Sequence, residues 1–123
     1  MDRQTCASVV LLEDEALIAL DVEYSLRNAG FNVLGVFSSC AATLEWLKTN
    51  SPDVAVLDID LRDGDCVSIA KVLCARKIPF VVHSGSPASS GYHDPIFLKG
   101  KWVAKPCSPS DLADAVTASL ALA

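Results

Sequence analysis

Short apolar runs alternate with amphipathic stretches along most of the chain. Five runs rich in β-branched and aromatic residues predict strands at about 8–12, 32–37, 54–58, 80–84 and 101–104. Apolar runs of this length are typical of strands that are buried on both faces. Strands that alternate with helices over short connections require right-handed crossovers and a parallel sheet covered on both faces. The pattern therefore predicts an α/β fold.

Four stretches carry apolar residues at the spacing of a helix face. The residues expected to face the core are Leu17, Leu20 and Tyr24, widened by Ile18, Val22 and Leu26, in the first; Ala41, Leu44 and Leu47 in the second; Val67, Ala70 and Cys74 in the third; and Leu112, Val116 and Leu120 in the last. The run Asn28-Ala29-Gly30 predicts the end of the first helix. The last begins at Ser108-Pro109-Ser110-Asp111, a capping residue with Pro at the first helical position.

The interval between the fourth and fifth strands breaks this alternation. Pro87, Gly91 and Pro95 lie within it, and proline and glycine disfavour a long helix. We therefore expect a loop with at most a short helical turn, so that the fourth helix is short or missing. With no internal repeat and no linker, residues 1–123 are expected to form a single domain.

Composition excludes several classes of protein. The 51% apolar and 20% charged residues are ordinary for a soluble domain, and no apolar run reaches the roughly 18 residues of a membrane span. The N-terminus lacks the apolar segment of a signal peptide. A net charge of -5 with no basic stripe argues against nucleic-acid binding. These features predict a cytoplasmic protein.

The five cysteines are odd in number and widely spaced, with no C-x-x-C pair. This argues against a disulfide framework or a zinc site and favours small buried hydrophobic residues in a reducing cytosol. Cys107 is expected beside the candidate site and is the one cysteine worth testing for reactivity. His83 and His93 are interpreted as a strand residue and a loop residue.

Acidic residues follow two of the predicted strands. Glu13 and Asp14 come after the first strand, and Asp58 comes after the third. Ligands of open parallel α/β sheets bind at the carboxyl ends of the strands. If the two strands are neighbours, three carboxylates converge there and repel one another unless a cation or protons neutralise them. Mg²⁺ is the expected cation, because it prefers a few carboxylates, a carbonyl, waters and a phosphate.

A hydroxyl and an ammonium group are expected at the same edge. Ser84 ends the fourth strand, and Lys105, followed by Pro106, comes after the fifth. Taken singly, the acids could be a solvated helix start and the other two residues ordinary turns. Together they supply what phosphoryl transfer onto a carboxylate needs, namely a nucleophile and cations that offset the developing charge.

In this order and spacing, the residues resemble the receiver domain of two-component response regulators, over nearly the whole chain. The resemblance implies a flavodoxin-like (βα)5 sandwich with strand order 2-1-3-4-5. It implies that Asp58 is the phosphoacceptor and that Asp14, Asp58 and the backbone carbonyl of Asp60 ligate Mg²⁺. Glu13 would act mainly through a water molecule.

The same resemblance implies roles for the later strands. Ser84 would hydrogen-bond the phosphoryl group and Lys105 would pair with it, and the Lys105–Pro106 peptide bond would be cis. Trp102 matches the aromatic position that changes rotamer with the signal, although it is bulkier than the usual Tyr or Phe.

A narrower resemblance concerns the fourth strand and the opening acidic segment. The run 78–85, Ile-Pro-Phe-Val-Val-His-Ser-Gly, resembles the single-domain FAT GUY receivers, although the usual Phe-Ala-Thr-Gly-Tyr-like run reads Val82-His83-Ser84-Gly85-Ser86. The segment 13–21 resembles receivers that are partnered by histidine kinases of the HWE or HisKA2 type.

The resulting hypothesis is a phosphorylation switch that is not a substrate-converting enzyme. A histidine kinase or a phosphotransfer protein would be the donor, and the output would be contact with another protein, because the chain ends just after the last helix. With only Ala113, Thr117 and Ala121 on the expected dimer face, we expect a monomer before phosphorylation. One alternative is a haloacid-dehalogenase-type phosphatase that uses Asp58 and Asp60. The other is a pseudo-receiver that binds partners without phosphorylation.

Overall fold

Strands and helices alternate as the hydrophobic pattern predicts. A computed structural model describes residues 7–59, 61, 63–64, 66–85, 94–105 and 107–122. Its elements are β1 (Ser8–Leu12), α1 (Ala16–Asn28), β2 (Asn32–Phe37), α2 (Cys40–Leu47), β3 (Val54–Leu57), α3 (Val67–Ala75), β4 (Phe80–Ser84), a 3-10 helix (Pro95–Lys99), β5 (Lys101–Ala104) and α4 (Pro109–Leu122). The strand boundaries match the predicted ones to within one residue.

The strands form a parallel sheet in the order β2-β1-β3-β4-β5. This order confirms the predicted flavodoxin-like fold. In the register of the two central strands, Leu12 lies opposite Leu57. The acids that follow β1 and β3 therefore leave the sheet at the same level.

Each face of the sheet packs against its own pair of helices. Along β1, Val10 and Leu12 join the core cluster that contains residues of α2 and α3. Val9 and Leu11 point to the opposite face and join the cluster that contains residues of α1 and α4. This alternation is the two-residue period of a strand that is buried on both faces.

The predicted core face of α1 is partly wrong. Leu17, Leu20 and Tyr24 are 82%, 65% and 70% exposed. The residues of α1 that are buried are Ala19, Val22 and Leu26, with Ile18 partly buried. The two sets have nearly the same spacing and lie on different sides of the helix. The small side chain at position 19 made the buried stripe the weaker signal in the sequence.

The second helix also differs from the prediction. Ala41 is exposed, and the buried residues of α2 are Thr43 and Leu47. Thr43 tolerates burial because its hydroxyl donates to the backbone oxygen of Ser39 at 2.9 Å. The predicted core residues of α3 and α4 are buried or partly buried.

The interval before β5 contains no long helix within the described residues 94–100. Asp94 accepts a hydrogen bond from the amide of Ile96 and begins the short 3-10 helix, in which Phe97 is fully buried. Gly100 is needed at the entry to β5, since a Cβ there would lie 2.4 Å from the ring of Phe80. Pro87, Gly91 and His93 lie outside the described residues.

The start of α4 agrees with the predicted cap. The hydroxyl of Ser108 accepts the backbone N–H of Asp111 at 3.2 Å. Within the described part of the chain, no helix is long and apolar enough to cross a membrane.

Candidate functional site

The backbone hydrogen bonds of the sheet fix where the acidic residues leave their strands. The amide of Asp58 donates to the carbonyl of Leu12 at 3.0 Å, and the amide of Glu13 donates to the carbonyl of Phe37 at 2.9 Å. The acids therefore continue the two strand pairings at the carboxyl edge of the sheet, where ligands bind in this class of fold.

Three carboxylates come together at this edge. One oxygen from each of Glu13, Asp14 and Asp58 lies within 4.8 Å of the others. Glu13 and Asp58 are only 3% and 5% exposed, and Asp14 is partly buried. A group of hard oxygen ligands such as this suits Mg²⁺, because a divalent cation would offset their mutual repulsion.

Lys105 connects the acids of two strands. Its Nζ donates to Oε1 of Glu13 at 2.6 Å and to Oδ2 of Asp58 at 3.0 Å, and these residues are 92 and 47 positions away in the sequence. The backbone amide of Lys105 donates to the carbonyl of Ser84 at 2.9 Å. This hydrogen bond fixes the backbone position from which the Lys105 side chain extends after β5. The remaining oxygen of Glu13 accepts the amide of Glu15 at 3.2 Å.

The pKa shifts reflect the burial of this cluster. Burial raises the pKa of Glu13, although the hydrogen bond from Lys105 opposes the shift. Burial alone would lower the pKa of Lys105, but hydrogen bonds to Glu13 and Asp58 outweigh it and raise the pKa. The ammonium form of Lys105 is therefore favoured at its position between the carboxylates of Glu13 and Asp58.

The other predicted site residues lie on β4 and β5 or outside the described residues. Ser84 is fully buried at the end of β4, opposite Ala104 of β5. The indole N–H of Trp102 donates to the carbonyl of Phe97 at 2.9 Å, so the ring is anchored to the 3-10 helix. Asp60 and Pro106 lie outside the described residues.

A second cluster beside Asp58 was not predicted. The carboxylate of Asp63 accepts the amides of Cys40 and Ala41 at 2.8 and 3.0 Å. These hydrogen bonds lower the pKa of Asp63 and link the segment after β3 to the start of α2. The Sγ atoms of Cys40 and Cys66 are 2.9 Å apart, and Cys66 Sγ lies 3.6 Å from the carbonyl of Asp58. No strand end or motif in the sequence indicated this contact, which depends on how the segment after β3 packs against the start of α2.

His83 and Cys107 also meet beside Lys105. His83 is a buried strand residue, as predicted, and its Nε2 lies 3.5 Å from Sγ of Cys107. Burial, helped by the charge of Lys105, lowers the pKa of His83. Burial raises the pKa of the Cys107 thiol, which disfavours the thiolate that a reactive cysteine needs.

The chain belongs to the response regulator receiver domain family, whose family model matches residues 9–117. It is 29% identical over 75 residues to the transcriptional regulatory protein PdtaR of Mycobacterium tuberculosis, covering 60% of this chain and 37% of PdtaR. It is 25% identical over 118 residues to the phyllosphere-induced regulator PhyR of Methylorubrum extorquens, covering 91% of this chain and 43% of PhyR. The chain thus spans less than half the length of these relatives.

Solved structures show the same fold. SdrG from Sphingomonas melonis superposes with a TM-score of 0.79 at 30% identity, covering 98% of this chain and 99% of SdrG. PhyR from Brucella abortus superposes with a TM-score of 0.81 at 23% identity, covering 95% of this chain and 49% of PhyR. Receiver domains are signalling modules of two-component systems that interact with histidine kinases or phosphotransfer proteins and bind Mg²⁺ at an acidic pocket.

Proposed function

We propose that this chain is a receiver that accepts a phosphoryl group on Asp58 and thereby changes its affinity for a protein partner. The observation that carries the proposal is the position of Lys105, whose ammonium group contacts both Glu13 and Asp58. A partly buried cation held between acids from two strand ends is suited to a group that gains further negative charge there.

The proposed reaction uses the carboxylate of Asp58 as nucleophile. One of its oxygens attacks the phosphorus of a phosphohistidine in line, the phosphorus–nitrogen bond breaks, and the bonding electron pair stays on the histidine nitrogen. Lys105 already donates to an oxygen of Asp58 at 3.0 Å, so it is in place to bear the developing charge. Ser84 is proposed to donate its hydroxyl hydrogen to the new phosphoryl group.

The acidic cluster is proposed to hold Mg²⁺ through Asp14, Asp58 and the backbone carbonyl of Asp60, with Glu13 acting through water. The donor set fits, since three carboxylate oxygens lie within 4.8 Å of one another. When bound, the ion would supply positive charge beside the phosphoryl oxygens.

The output is proposed to be contact with another protein, with Trp102 and the end of β4 changing their packing after phosphorylation. The donor is proposed to be a histidine kinase, of the HWE or HisKA2 type, or a phosphotransfer protein in the cytoplasm. PhyR from Bartonella quintana is called an anti-anti-sigma factor, and this chain covers 49% of it at 21% identity. That likeness supports the fold.

Acetyl phosphate with and without Mg²⁺ tests the proposal. We expect the intact protein to gain the mass of one phosphoryl group only when Mg²⁺ is present, and peptide mapping to place that group on Asp58. Asp58→Asn should abolish labelling, whereas the matched substitution Asp114→Asn on an exposed position of α4 should leave it unchanged.

Two results would decide against the proposal. A folded protein that stays unlabelled under these conditions would support the pseudo-receiver alternative. Repeated turnover of a phosphate ester, abolished by Asp58→Asn, would instead support a phosphatase. If Asp58 is labelled, transfer from purified phosphorylated histidine kinases would identify the donor.

A further inference from the structure

Two cysteines that are 26 positions apart in the sequence meet beside Asp58. Cys40 is the first residue of α2 and Cys66 immediately precedes α3. Both are free thiols, and their Sγ atoms are 2.9 Å apart. Because the sulfurs of a disulfide are about 2.0 Å apart, an approach of only about 0.9 Å would bring them to bonding distance.

The backbone holds the two residues in place. The carboxylate of Asp63 accepts the amides of Cys40 and of the next residue, so the segment after β3 is fixed to the start of α2. Cys66 has a φ of 66°, in the left-handed region that residues other than glycine rarely adopt. Such a conformation persists only where the surroundings hold it, and Cys66 is 3% exposed.

The two thiols make three contacts in which their hydrogens could form hydrogen bonds. Besides the contact between the sulfurs, Sγ of Cys66 lies 3.6 Å from the carbonyl of Asp58 and Sγ of Cys40 lies 3.8 Å from the carbonyl of Gly64. Each thiol has one hydrogen, so at most two of these contacts can be hydrogen bonds at once. A disulfide would keep the sulfur contact and remove both S–H donors.

We propose that Cys40 and Cys66 are a redox pair that forms a reversible intrachain disulfide with a peroxide as oxidant. The sulfur of Cys40, the more exposed of the two, attacks hydrogen peroxide, which breaks the O–O bond and yields a sulfenic acid and water. The sulfur of Cys66 then displaces the second oxygen as water. Two thiols are oxidised, and one peroxide is reduced to two waters.

The disulfide would affect the phosphorylation site, a consequence that rests on the proposed function. The S–H of Cys66 donates to the carbonyl of Asp58, and this donor is lost on oxidation. The contact orients the peptide group that follows the phosphoacceptor. A weak hydrogen bond of this kind is expected to change the rate of acetyl phosphate labelling about two- to fivefold, with the oxidised protein the slower.

Oxidation of the folded protein by hydrogen peroxide tests the proposal. Because burial raises the pKa of both thiols, the reaction is expected to be slow and is followed over hours. We expect a loss of two hydrogens, a linked pair of peptides containing Cys40 and Cys66, and reversal by dithiothreitol. The bond closes a chain segment of 26 positions, so the midpoint of thermal unfolding should rise by about 5–10 °C.

Cysteine variants provide the controls. Cys40→Ala should abolish both the linked peptides and the difference in labelling, whereas Cys74→Ala, at a partly buried position of α3, should retain them. Three results would overturn the proposal. Oxidation could give sulfinic acid at Cys40, or it could give a disulfide between two chains. The third result is that both thiols of the folded protein remain reduced under conditions that oxidise the urea-unfolded chain. Equal labelling of oxidised and reduced protein would overturn its link to the site. If the reduced protein does not label at all, the proposed function fails while the disulfide is still decided by mass.

Discussion

Helices α1 and α4 cover the same face of the sheet but present different outer surfaces. Both contribute to one core cluster, through Val22 and Leu26 of α1 and through Leu112 and Val116 of α4. The outward positions of α4 are polar or small; the exposed ones include Asp111, Asp114 and Thr117. Those of α1 include three large apolar side chains, Leu17, Leu20 and Tyr24.

This difference shows that a hydrophobic residue at helical spacing need not face the core. On α4 the apolar stripe coincides with the buried face, as a surface helix of a globular protein usually has it. On α1 the two apolar stripes lie on opposite sides of the helix, and the sheet buries the one with the smaller residues. The outer stripe of α1 therefore contributes little to folding.

A matched pair of leucine substitutions gives the largest expected contrast. Leu112→Ala removes a side chain that is 2% exposed and should lower the free energy of unfolding by about 2–5 kcal/mol through lost burial and a cavity. Leu17→Ala, at 82% exposure, should change it by less than about 0.5 kcal/mol. Urea denaturation measures both. Equal losses would show that the outer stripe of α1 is packed in solution.

Much of the fold was predictable because its signals are local. Apolar and β-branched runs located the five strands of the described residues, and the proline and glycine residues before β5 predicted at most a short helical turn there. The buried stripe of α1 was only partly predictable, since Ala19 carries little hydrophobic signal and the larger neighbours at 17, 20 and 24 dominate the pattern.

In the candidate site, the acidic cluster could be predicted from the sequence, but the contact between the two cysteines could not. The convergence of Glu13, Asp14 and Asp58 follows from strand ends that meet at one edge, and the structure brings Lys105 to them. The contact of Cys40 with Cys66 depends on how a loop packs against a helix. No periodicity or motif records that packing, so the sequence could not reveal it.

Removal of the Lys105 ammonium group, which connects the segments before α1 and α4, is expected to have the next largest effect on the free energy of unfolding. Glu13 lies just before α1 and Lys105 just before α4, and Lys105→Met leaves two buried carboxylates without this partner. Breaking a buried ion pair is costly, but Lys105 is 18% exposed, so we expect a loss of about 1–3 kcal/mol.

Urea denaturation with and without Mg²⁺ measures this loss. The added ion should restore part of it, because it offsets the same two carboxylates. Lys101→Met, an exposed lysine on β5, is the control and should cost less than about 0.5 kcal/mol. Similar losses for the two variants would mean that the contacts of Lys105 add no stability.

His83, on the face of the sheet that α4 covers, should make the free energy of unfolding depend on pH. Burial lowers its pKa below the ordinary 6.5, so the unfolded chain takes up a proton first as the pH falls. The stability linked to His83 is therefore complete above about pH 6.5 and decreases below it. Unfolding of wild type and His83→Gln at about pH 7.5 and 5.5 tests this. Wild type should lose more stability than the variant, and parallel losses would contradict the direction of the shift.

The smallest expected effect concerns an ion pair on α1. Glu23 and Arg27 are one helical turn apart with a contact of 3.0 Å, and Arg27 also donates to the carbonyl of Val33 at 3.0 Å. Glu23→Gln removes the charge and leaves the second contact, so the loss should be about 0.2–0.5 kcal/mol and should shrink in high salt. Urea denaturation at two salt concentrations measures it. A loss above about 1 kcal/mol that salt does not reduce would mean that Glu23 acts through packing. The outer surface of α1 would then contribute to folding after all, and the contrast with α4 would fail.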